Sequence, residues 1–226
     1  SLPSRGLGDV YKRQLTMPQE VAVIENYVKL APSEVGLGAE IGQQMHVNVF
    51  GIWGFAILTS PTMRAAFNTA IDYVALSLVI AKLTFKETQE GGELSFGMSG
   101  LSERVTPFIL ERHTAVTLNF MREALPLPAL EDLYLKTTLD NPDHIDKLSQ
   151  VLGIHVKGGD SHHALVIPHS MLNQPLPKSD PVTLKFCLEQ CDAIVAQGED
   201  EEKQWTERVK EVAVSYTHLR AHETEE

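Results

Sequence analysis

The sequence predicts an α+β fold, with helices at the N-terminus and an antiparallel sheet of about four to five strands against which further helices pack. Two segments, 18–31 and 61–74, place apolar residues three or four positions apart, which is the spacing of one helix face. Two others, 78–87 and 93–98, flank the turn sequence QEGG and indicate an antiparallel hairpin. Strands that come in such pairs, without regular alternation of strand and helix, favour α+β over α/β.

The chain is predicted to be helical up to the hairpin. A second short helix is expected over 33–46 with Ser33 as its cap, followed by a buried apolar helix over 50–58. The next helix is predicted to have Ser60 as N-cap and Pro61 as its first residue. Its apolar stripe consists of Met63, Ala66, Phe67, Ala70, Ile71 and Val74.

A long helix follows the hairpin. Ser102 is expected to cap this helix, and Pro107 either bends it or marks its first turn. A third strand is predicted over 131–138, and a short helix over 142–152 with Asp140 or Asn141 as cap.

The last part of the predicted domain contains two strands and one helix. The segments 154–157 and 163–168, separated by GGDS, are interpreted as a second strand pair. After the proline-rich connection LNQPLPKSDP, a helix is predicted over 180–197. Its apolar stripe consists of Leu184, Cys187, Leu188, Cys191, Ile194 and Val195.

Composition excludes several classes of protein. The 226 residues carry a net charge of −11, and a surface this acidic repels phosphate, so this chain by itself is not expected to bind nucleic acid. No apolar run approaches the roughly 20 residues that cross a bilayer, so no membrane partner is expected. The only two cysteines, Cys187 and Cys191, favour a reducing cytoplasm. Their separation fits a metal or redox pair or two small apolar helix residues; we favour the latter and expect no cofactor.

Three patterns that often carry chemistry are better interpreted as structural. GLGAEIG (36–42) lacks the G-x-G-x-x-G spacing and a preceding strand, which favours tight helix packing over a phosphate loop. Ser99 in GMSGL has Leu101 where a nucleophile elbow needs glycine, which favours a turn serine. The histidines of one β region lack metal-ligand spacing: His155, His162, His163 and His169. The sequence therefore nominates no catalytic residue, no metal site and no enzyme.

Three blocks of the sequence carry a family resemblance. GIWGFAILTSPTMRAAF resembles the segment G-x-x-G-x-A-x-x-[ST]-S-P-T-x-x-x-A of AraC/XylS-type transcription regulators. EVGLGAEIG resembles their element P-x-x-G-L-x-x-G, and HHALVIPHSMLNQPLPKSDP resembles N-A-L-V-F-x-x-x-x-L-D-x-P-L-P-x-A-D-P. The resemblance covers most of residues 17–197 and implies a structural role for the motif positions Gly51, Gly54, Ser60, Pro61, Thr62, Pro175, Pro177 and Asp180.

The resemblance implies an effector-sensing domain. It points to the subgroup whose effector domain is called arabinose-binding by analogy and which includes ornithine-utilisation regulators. We therefore expect an effector-binding domain over 15–197, which takes an unidentified small-molecule effector and forms a homodimer. Family members continue into paired helix-turn-helix units, so 198–213 is expected to hold a linker and the start of a truncated DNA-binding domain. DNA binding is expected only through the missing C-terminal domain.

Bulky apolar side chains are more numerous than the helix stripes require. Seven are predicted to bind the effector in a cavity between helices and sheet: Trp53, Phe55, Phe67, Tyr73, Phe96, Phe108 and Phe120. Phe85 belongs to the same group, and the alternative for each is an ordinary core position. Two other functions stay open: a stand-alone small-molecule-binding or scaffolding module, and a small hydrolase that uses Ser99 and a histidine.

The two ends of the chain are expected not to belong to the domain. DVYKRQ (9–14) and VSYTHL (214–219) can be back-translated to one short DNA element in opposite orientations. That element resembles a transposase-end adaptor used in sequencing. Residues 1–14 and 214–226 are therefore interpreted as adaptor-derived, and the segment between them as an interrupted bacterial regulator.

Overall fold

The computed structural model describes residues 17–31, 35–77, 79–125 and 132–197. These ranges contain eight α-helices: α1 (Met17–Leu30), α2 (Leu37–Gln43), α3 (Gly51–Thr59), α4 (Met63–Asp72), α5 (Val105–Ala124), α6 (Pro142–Leu152), α7 (His169–Leu172) and α8 (181–197). The strands are β1 (Lys82–Glu87), β2 (Gly92–Gly97), β3 (Tyr134–Lys136), β4 (His155–Lys157) and β5 (Ala164–Ile167). Short 3-10 helices cover Val47–Phe50 and Val74–Leu76. The α+β class is confirmed.

The five strands form one mixed sheet in the order β1-β2-β5-β3-β4. The hairpin of β1 and β2 is confirmed, and β5 pairs antiparallel with both β2 and β3. The pairing of β4 with β5 is wrong, because β4 instead runs parallel to β3. The reason is α6, which carries the chain back across the sheet between β3 and β4 and so gives both strands one direction.

Strand β5 is the central strand of the sheet and is buried along its whole length. All four residues of its sequence ALVI are buried, which is typical of a strand covered on both faces. On one face an apolar row crosses all five strands in register, through Phe85, Leu94, Leu165, Leu135 and Val156. The helices pack on this face, and charged residues such as Glu93 and Lys136 occupy the other, where their side chains are 2.6 Å apart.

Helix α5 is the centre of the fold, and α2 lies directly against it. A Cβ atom on Gly38 would lie 2.1 Å from the carbonyl oxygen of Phe108, and one on Gly42 would lie 2.5 Å from that of Arg112. The side-chain amide of Asn119 donates to the carbonyl oxygens of Gly42 and Gln43, at 3.2 and 2.9 Å. The interpretation of the glycine-rich segment as tight helix packing is therefore confirmed.

Two of the predicted helix caps are wrong. Helix α4 begins after Thr62, whose hydroxyl accepts from the amide of Ala65 at 3.2 Å, whereas the Ser60 hydroxyl donates to the Ala56 carbonyl at the end of α3. Helix α5 has no side-chain cap; the Ser102 carbonyl oxygen accepts from its first turn. The cap at Asn141 is confirmed by its bond from the amide of His144.

Several predictions lie partly or wholly outside the described residues. Helix α2 is shorter than predicted and has Gly36 at its N-cap, and Ser33 lies outside the described residues. The predictions for the two ends of the chain also lie outside the described residues: 1–14, 198–213 and 214–226. In the described ranges no helix is long and apolar enough to span a bilayer.

Helix α8 packs against the body of the domain through the predicted stripe. Cys187 and Cys191 are buried free thiols, and burial raises the pKa of both. The hydroxyl of Tyr73, just after α4, donates to the Asp192 carboxylate at 2.6 Å, and this bond raises the pKa of Tyr73 to about 12. The stripe therefore faces the core, as its spacing predicts.

Candidate functional site

An apolar cavity, here called the aromatic cavity, lies between α3, α4, α5 and the β1–β2 hairpin. Its empty space is about 660 Å³ when the open mouth is counted. Helix α4 contributes Met63, Ala66, Phe67, Ala70 and Ile71, and the hairpin region contributes Val79, Leu83, Leu94 and Phe96. Phe50, Trp53 and Ile57 close the cavity from the side of α3.

Helix α5 supplies the remaining wall. Its lining residues are His113, Val116, Thr117, Phe120, Met121 and Ala124, which recur at alternating spacings of three and one. This spacing marks one helix face, so the wall was recognisable in the sequence as a stripe. The predicted lining comprised aromatic residues only, so Phe120 was the one residue predicted on this face.

Three aromatic rings pack together at the α3 side of the cavity, where Trp53 meets Phe50 and Phe120 edge to face and the two phenylalanine rings are tilted. The Trp53 ring centroid lies 5.4 Å from that of Phe50 and 5.6 Å from that of Phe120, and the two phenylalanine rings are 5.1 Å apart. Such aromatic pairs contribute about 0.5–1.5 kcal/mol each beyond the area that they bury. The three rings therefore brace one another, and α3 is held against α5.

Trp53 carries a buried polar atom within this packing. Its side chain is 4% exposed, and its Nε1 has no hydrogen-bond partner among the described residues. A buried donor without an acceptor typically costs about 1–3 kcal/mol. This nitrogen is therefore an unsatisfied donor inside the packing of α3 against α5.

The seven predicted ligand-binding residues do not all share the cavity. Trp53, Phe67, Phe96 and Phe120 line it. Phe55, Tyr73 and Phe108 do not, which corrects their grouping with the other four: Phe55 is 49% exposed, Tyr73 binds Asp192, and Phe108 packs 5.8 Å from the ring of Tyr27. Phe85 stacks on Phe67 at 5.2 Å, behind the wall of the cavity.

Helical geometry explains why Phe55 is excluded. Residues two apart on a helix differ by about 200° around its axis, so Trp53 and Phe55 point in nearly opposite directions. Phe108 is on α5, but it lies outside the stripe that begins at His113 and faces α1 instead. A bulky apolar residue is therefore a poor guide to a cavity unless its helix face is also known.

Two of the three family motifs meet beside the cavity and form a single structural unit, here called the motif unit. The SPT segment (60–62) lies antiparallel to the segment around Pro175, with a bridge between Thr62 and Pro175. The amide of Leu176 donates to the Pro61 carbonyl at 3.1 Å. The SPT segment is thus extended, so α4 begins only after Thr62.

The remaining motif positions support the same unit. The amide of Asp180 donates to the Thr59 carbonyl at 3.2 Å, and its carboxylate caps α8 by accepting from Thr183 at 2.6 Å. Gly51 has a positive φ of 55°, and a Cβ atom on Gly54 would lie 2.5 Å from the Val47 carbonyl oxygen. Pro177 lies in an exposed turn. The motif therefore joins α3, α4 and α8, and its members do not line the cavity.

The other candidate residues have structural surroundings. Ser99 is exposed in the turn after β2. His163 is buried, binds the Thr137 hydroxyl at 2.9 Å, and its pKa is lowered by burial. His162 binds Glu93 at 2.6 Å, and His169 binds the Thr88 carbonyl oxygen at 3.0 Å. His155 is exposed, and the described part of the chain contains no cluster of three metal-ligating side chains.

Comparison with known proteins identifies the family. The chain matches the family described as "Arabinose-binding domain of AraC transcription regulator, N-term" over residues 1–176. It is 28% identical over 187 residues to an HTH-type transcriptional regulator of Mycobacterium tuberculosis, which covers 80% of this chain and 53% of the relative. It is 26% identical over 163 residues to the ornithine utilization regulator of Pseudomonas aeruginosa, with coverage of 72% and 48%. The chain thus spans about half the length of these curated relatives.

A solved structure shares the fold. The transcriptional regulator CdpR from Pseudomonas aeruginosa superposes with a TM-score of 0.57 and 12% sequence identity. The match covers 77% of this chain and 62% of that chain. The architecture described above is therefore that of a known regulator.

Proposed function

The chain belongs to the family of N-terminal arabinose-binding domains of AraC transcription regulators, and from this premise we propose that a small-molecule effector binds in the aromatic cavity. The observation that carries the proposal is the cavity itself, which is concave, open and lined by convergent faces of three helices and a hairpin. A cavity of this kind is the usual form of a small-molecule site. We assign the sensing function to the domain predicted over 15–197.

The effector signal passes through the motif unit. Met63, Ala66 and Phe67 on α4 line the cavity, and the SPT segment directly before α4 is bonded to the connection that leads into α8. An effector that binds one arrangement of α4 more tightly than another therefore shifts the position of α8 as well. In the whole regulator, α8 leads toward the helix-turn-helix part, which is where DNA would be contacted.

The proposal extends to partners and location. The relatives are named as HTH-type and ornithine utilization regulators, which supports control of transcription as the function of the whole protein. In that protein we expect a homodimer that works in the cytoplasm and contacts DNA outside this domain. We assign it no catalytic activity, because the family and its relatives are named as transcription regulators.

The proposal is tested by thermal shift with a panel of metabolites that includes sugars, amino acids and apolar compounds. A compound that binds the native state in the cavity raises the midpoint of unfolding. In the variant Ala70→Phe, the new ring occupies space in the cavity, so we expect the shift to disappear. The matched control is Ala75→Phe, because Ala75 is exposed and does not line the cavity.

The outcomes separate the proposal from its alternatives. A shift that Ala70→Phe abolishes and Ala75→Phe retains supports an effector in the aromatic cavity. A shift that both variants retain places the ligand elsewhere and contradicts the proposal. The absence of any shift across all compound classes also contradicts it and favours a scaffolding role.

A further inference from the structure

We propose that the aromatic cavity takes only an unbranched alkyl end of the effector, so that the effector is an amphiphile whose polar part stays in the solvent at the mouth. This inference rests on the proposed function and specifies its ligand. The family description names arabinose, and one relative is named for ornithine utilization. The lining of this cavity suits neither compound.

The surface of the cavity is almost entirely hydrocarbon. Apart from Trp53, His113 and Thr117, its lining side chains are aliphatic, phenyl or thioether groups. The Nε1 of Trp53 and both ring nitrogens of His113 are buried beyond the reach of a water molecule. The Thr117 hydroxyl donates to the His113 carbonyl oxygen at 2.9 Å. The described lining therefore gives a ligand extensive apolar contact and leaves no side-chain donor for it.

The size of the cavity limits the group that can enter. Its free volume is about 60 Å³, on the scale on which an apolar cavity of about 150 Å³ holds a benzene ring. The figure of about 660 Å³ given above includes the open mouth. A ring would thus have to push the walls apart, whereas the end of an unbranched chain enters without moving them.

Neither a sugar nor a charged amino acid fits such a lining. Arabinose carries four hydroxyl groups on five carbon atoms, so no part of it enters without burying a polar group that needs a partner. Ornithine is charged at both ends, and no Asp, Glu, Lys or Arg side chain lines the cavity. Buried charges in proteins are paired or hydrogen-bonded, because the desolvation of an isolated ion is very costly. The group that enters is therefore an alkyl group.

The affinity that such a group provides shows that the effector extends beyond the cavity. Burial of one methylene group strengthens binding about fourfold, so three of them provide about 60-fold. A millimolar dissociation constant requires about 1,000-fold relative to the molar standard state. The rest of the affinity must come from contacts outside the cavity. The polar part of the effector is free to make them, because it keeps its water at the mouth.

The test compares 1-pentanol with 1,5-pentanediol, which share one chain and differ at one end. 1-Pentanol can place its methyl end in the cavity, whereas either end of the diol would bury a hydroxyl group. We expect the full chain to bind the diol at least about fivefold more weakly. In the series from 1-propanol to 1-hexanol, each added methylene group should tighten binding about fourfold until the cavity is full.

Methionine methyl resonances report both the affinity and the place of binding. Met63 and Met121 line the cavity, whereas Met171 is buried and does not line it. The ε-methyl resonances of Met63 and Met121 should shift during titration with 1-pentanol, and that of Met171 should stay in place. The variants Met63→Leu, Met121→Leu and Met171→Leu assign the three resonances. The titration itself uses the unsubstituted chain, so it does not depend on the stability of any variant.

The outcomes separate this inference from the proposed function. Equal affinity for 1-pentanol and the diol, or no gain along the alkanol series, would overturn the inference. L-Arabinose or L-ornithine that shifts Met63 and Met121 would also overturn it but would leave an effector in the aromatic cavity. The same conclusion follows if the alkanols leave both resonances in place and another metabolite shifts them. If neither the alkanols nor any metabolite shifts them, the inference and the proposed function both fail.

Discussion

The substitution Gly38→Ala tests the packing on which the position of α5, and hence one wall of the aromatic cavity, depends. The new Cβ atom would lie 2.1 Å from the Phe108 carbonyl oxygen and 3.0 Å from the Glu111 Cβ. The first of these is backbone in the middle of a long helix and cannot turn away. Helix α2 must therefore move outward by about 1 Å before the new contact becomes an ordinary one.

The displacement has a calculable cost. Overpacking of this kind destabilises proteins by about 1–3 kcal/mol, whereas alanine gains up to about 1 kcal/mol over glycine in a helix. The outward shift also stretches the bonds from Asn119 to the carbonyl oxygens of Gly42 and Gln43, now 3.2 and 2.9 Å long. We expect a net loss of about 2 kcal/mol in the free energy of unfolding, since each weakened hydrogen bond adds about 1 kcal/mol.

Urea denaturation followed by circular dichroism measures this loss, and a thermal scan should show a midpoint about 4–8 °C lower. The matched control is Gly97→Ala at the end of β2, where the nearest atoms to a new Cβ lie at 3.2 Å and φ is not positive. It should change the free energy of unfolding by less than about 0.5 kcal/mol. If Gly38→Ala were as stable as the control, the close approach of α2 and α5 would be wrong.

Further substitutions test other features, beside the cavity variant Ala70→Phe described above. Burial raises the pKa of Glu111, so its carboxyl group binds a proton more tightly in the native state than in the unfolded chain. The stability that this proton contributes is lost as the pH rises from about 4.5 through the pKa of Glu111 in the native state. Glu111→Gln should therefore gain stability relative to the unsubstituted chain across this range in urea titrations at several pH values; a difference that does not change with pH would contradict this. Thr62→Ala removes the cap of α4 and should cost about 1 kcal/mol, whereas Ser102→Ala should cost less than about 0.5 kcal/mol. Equal losses in these two variants would restore the cap predicted at Ser102.

Local patterns determined the elements of this protein. The helices over α1, α3, α4 and α8 agree with their predicted spans to within about two residues, because apolar spacing and turn residues act on neighbouring positions along the chain. The same holds for the β1–β2 hairpin, where the turn fixes the partner. The family motifs also identified the class of protein before any contact was known.

Tertiary structure alone decided which elements meet. The partner of β4 is set by the crossover of α6, and the start of α4 is set by a bridge between Thr62 and Pro175, more than a hundred residues later. Neither contact can be predicted from the residues next to it in the sequence, because hydrogen bonds between distant segments depend on how the helices and the sheet pack. The glycines of α2 are similar, since their spacing suggested close packing but did not name α5 as the partner.

The aromatic cavity shows the same division. The sequence by itself determined that Trp53, Phe67, Phe96 and Phe120 are apolar residues on helix and strand faces that must be covered. Only the tertiary structure decided that these four face one cavity, whereas Phe55, Tyr73 and Phe108 face solvent, α8 and α1. The physical reason is that the burial of a residue depends on its own type and on the helix or strand face that it occupies. A cavity exists only where several such faces, from distant parts of the chain, converge without filling the space between them.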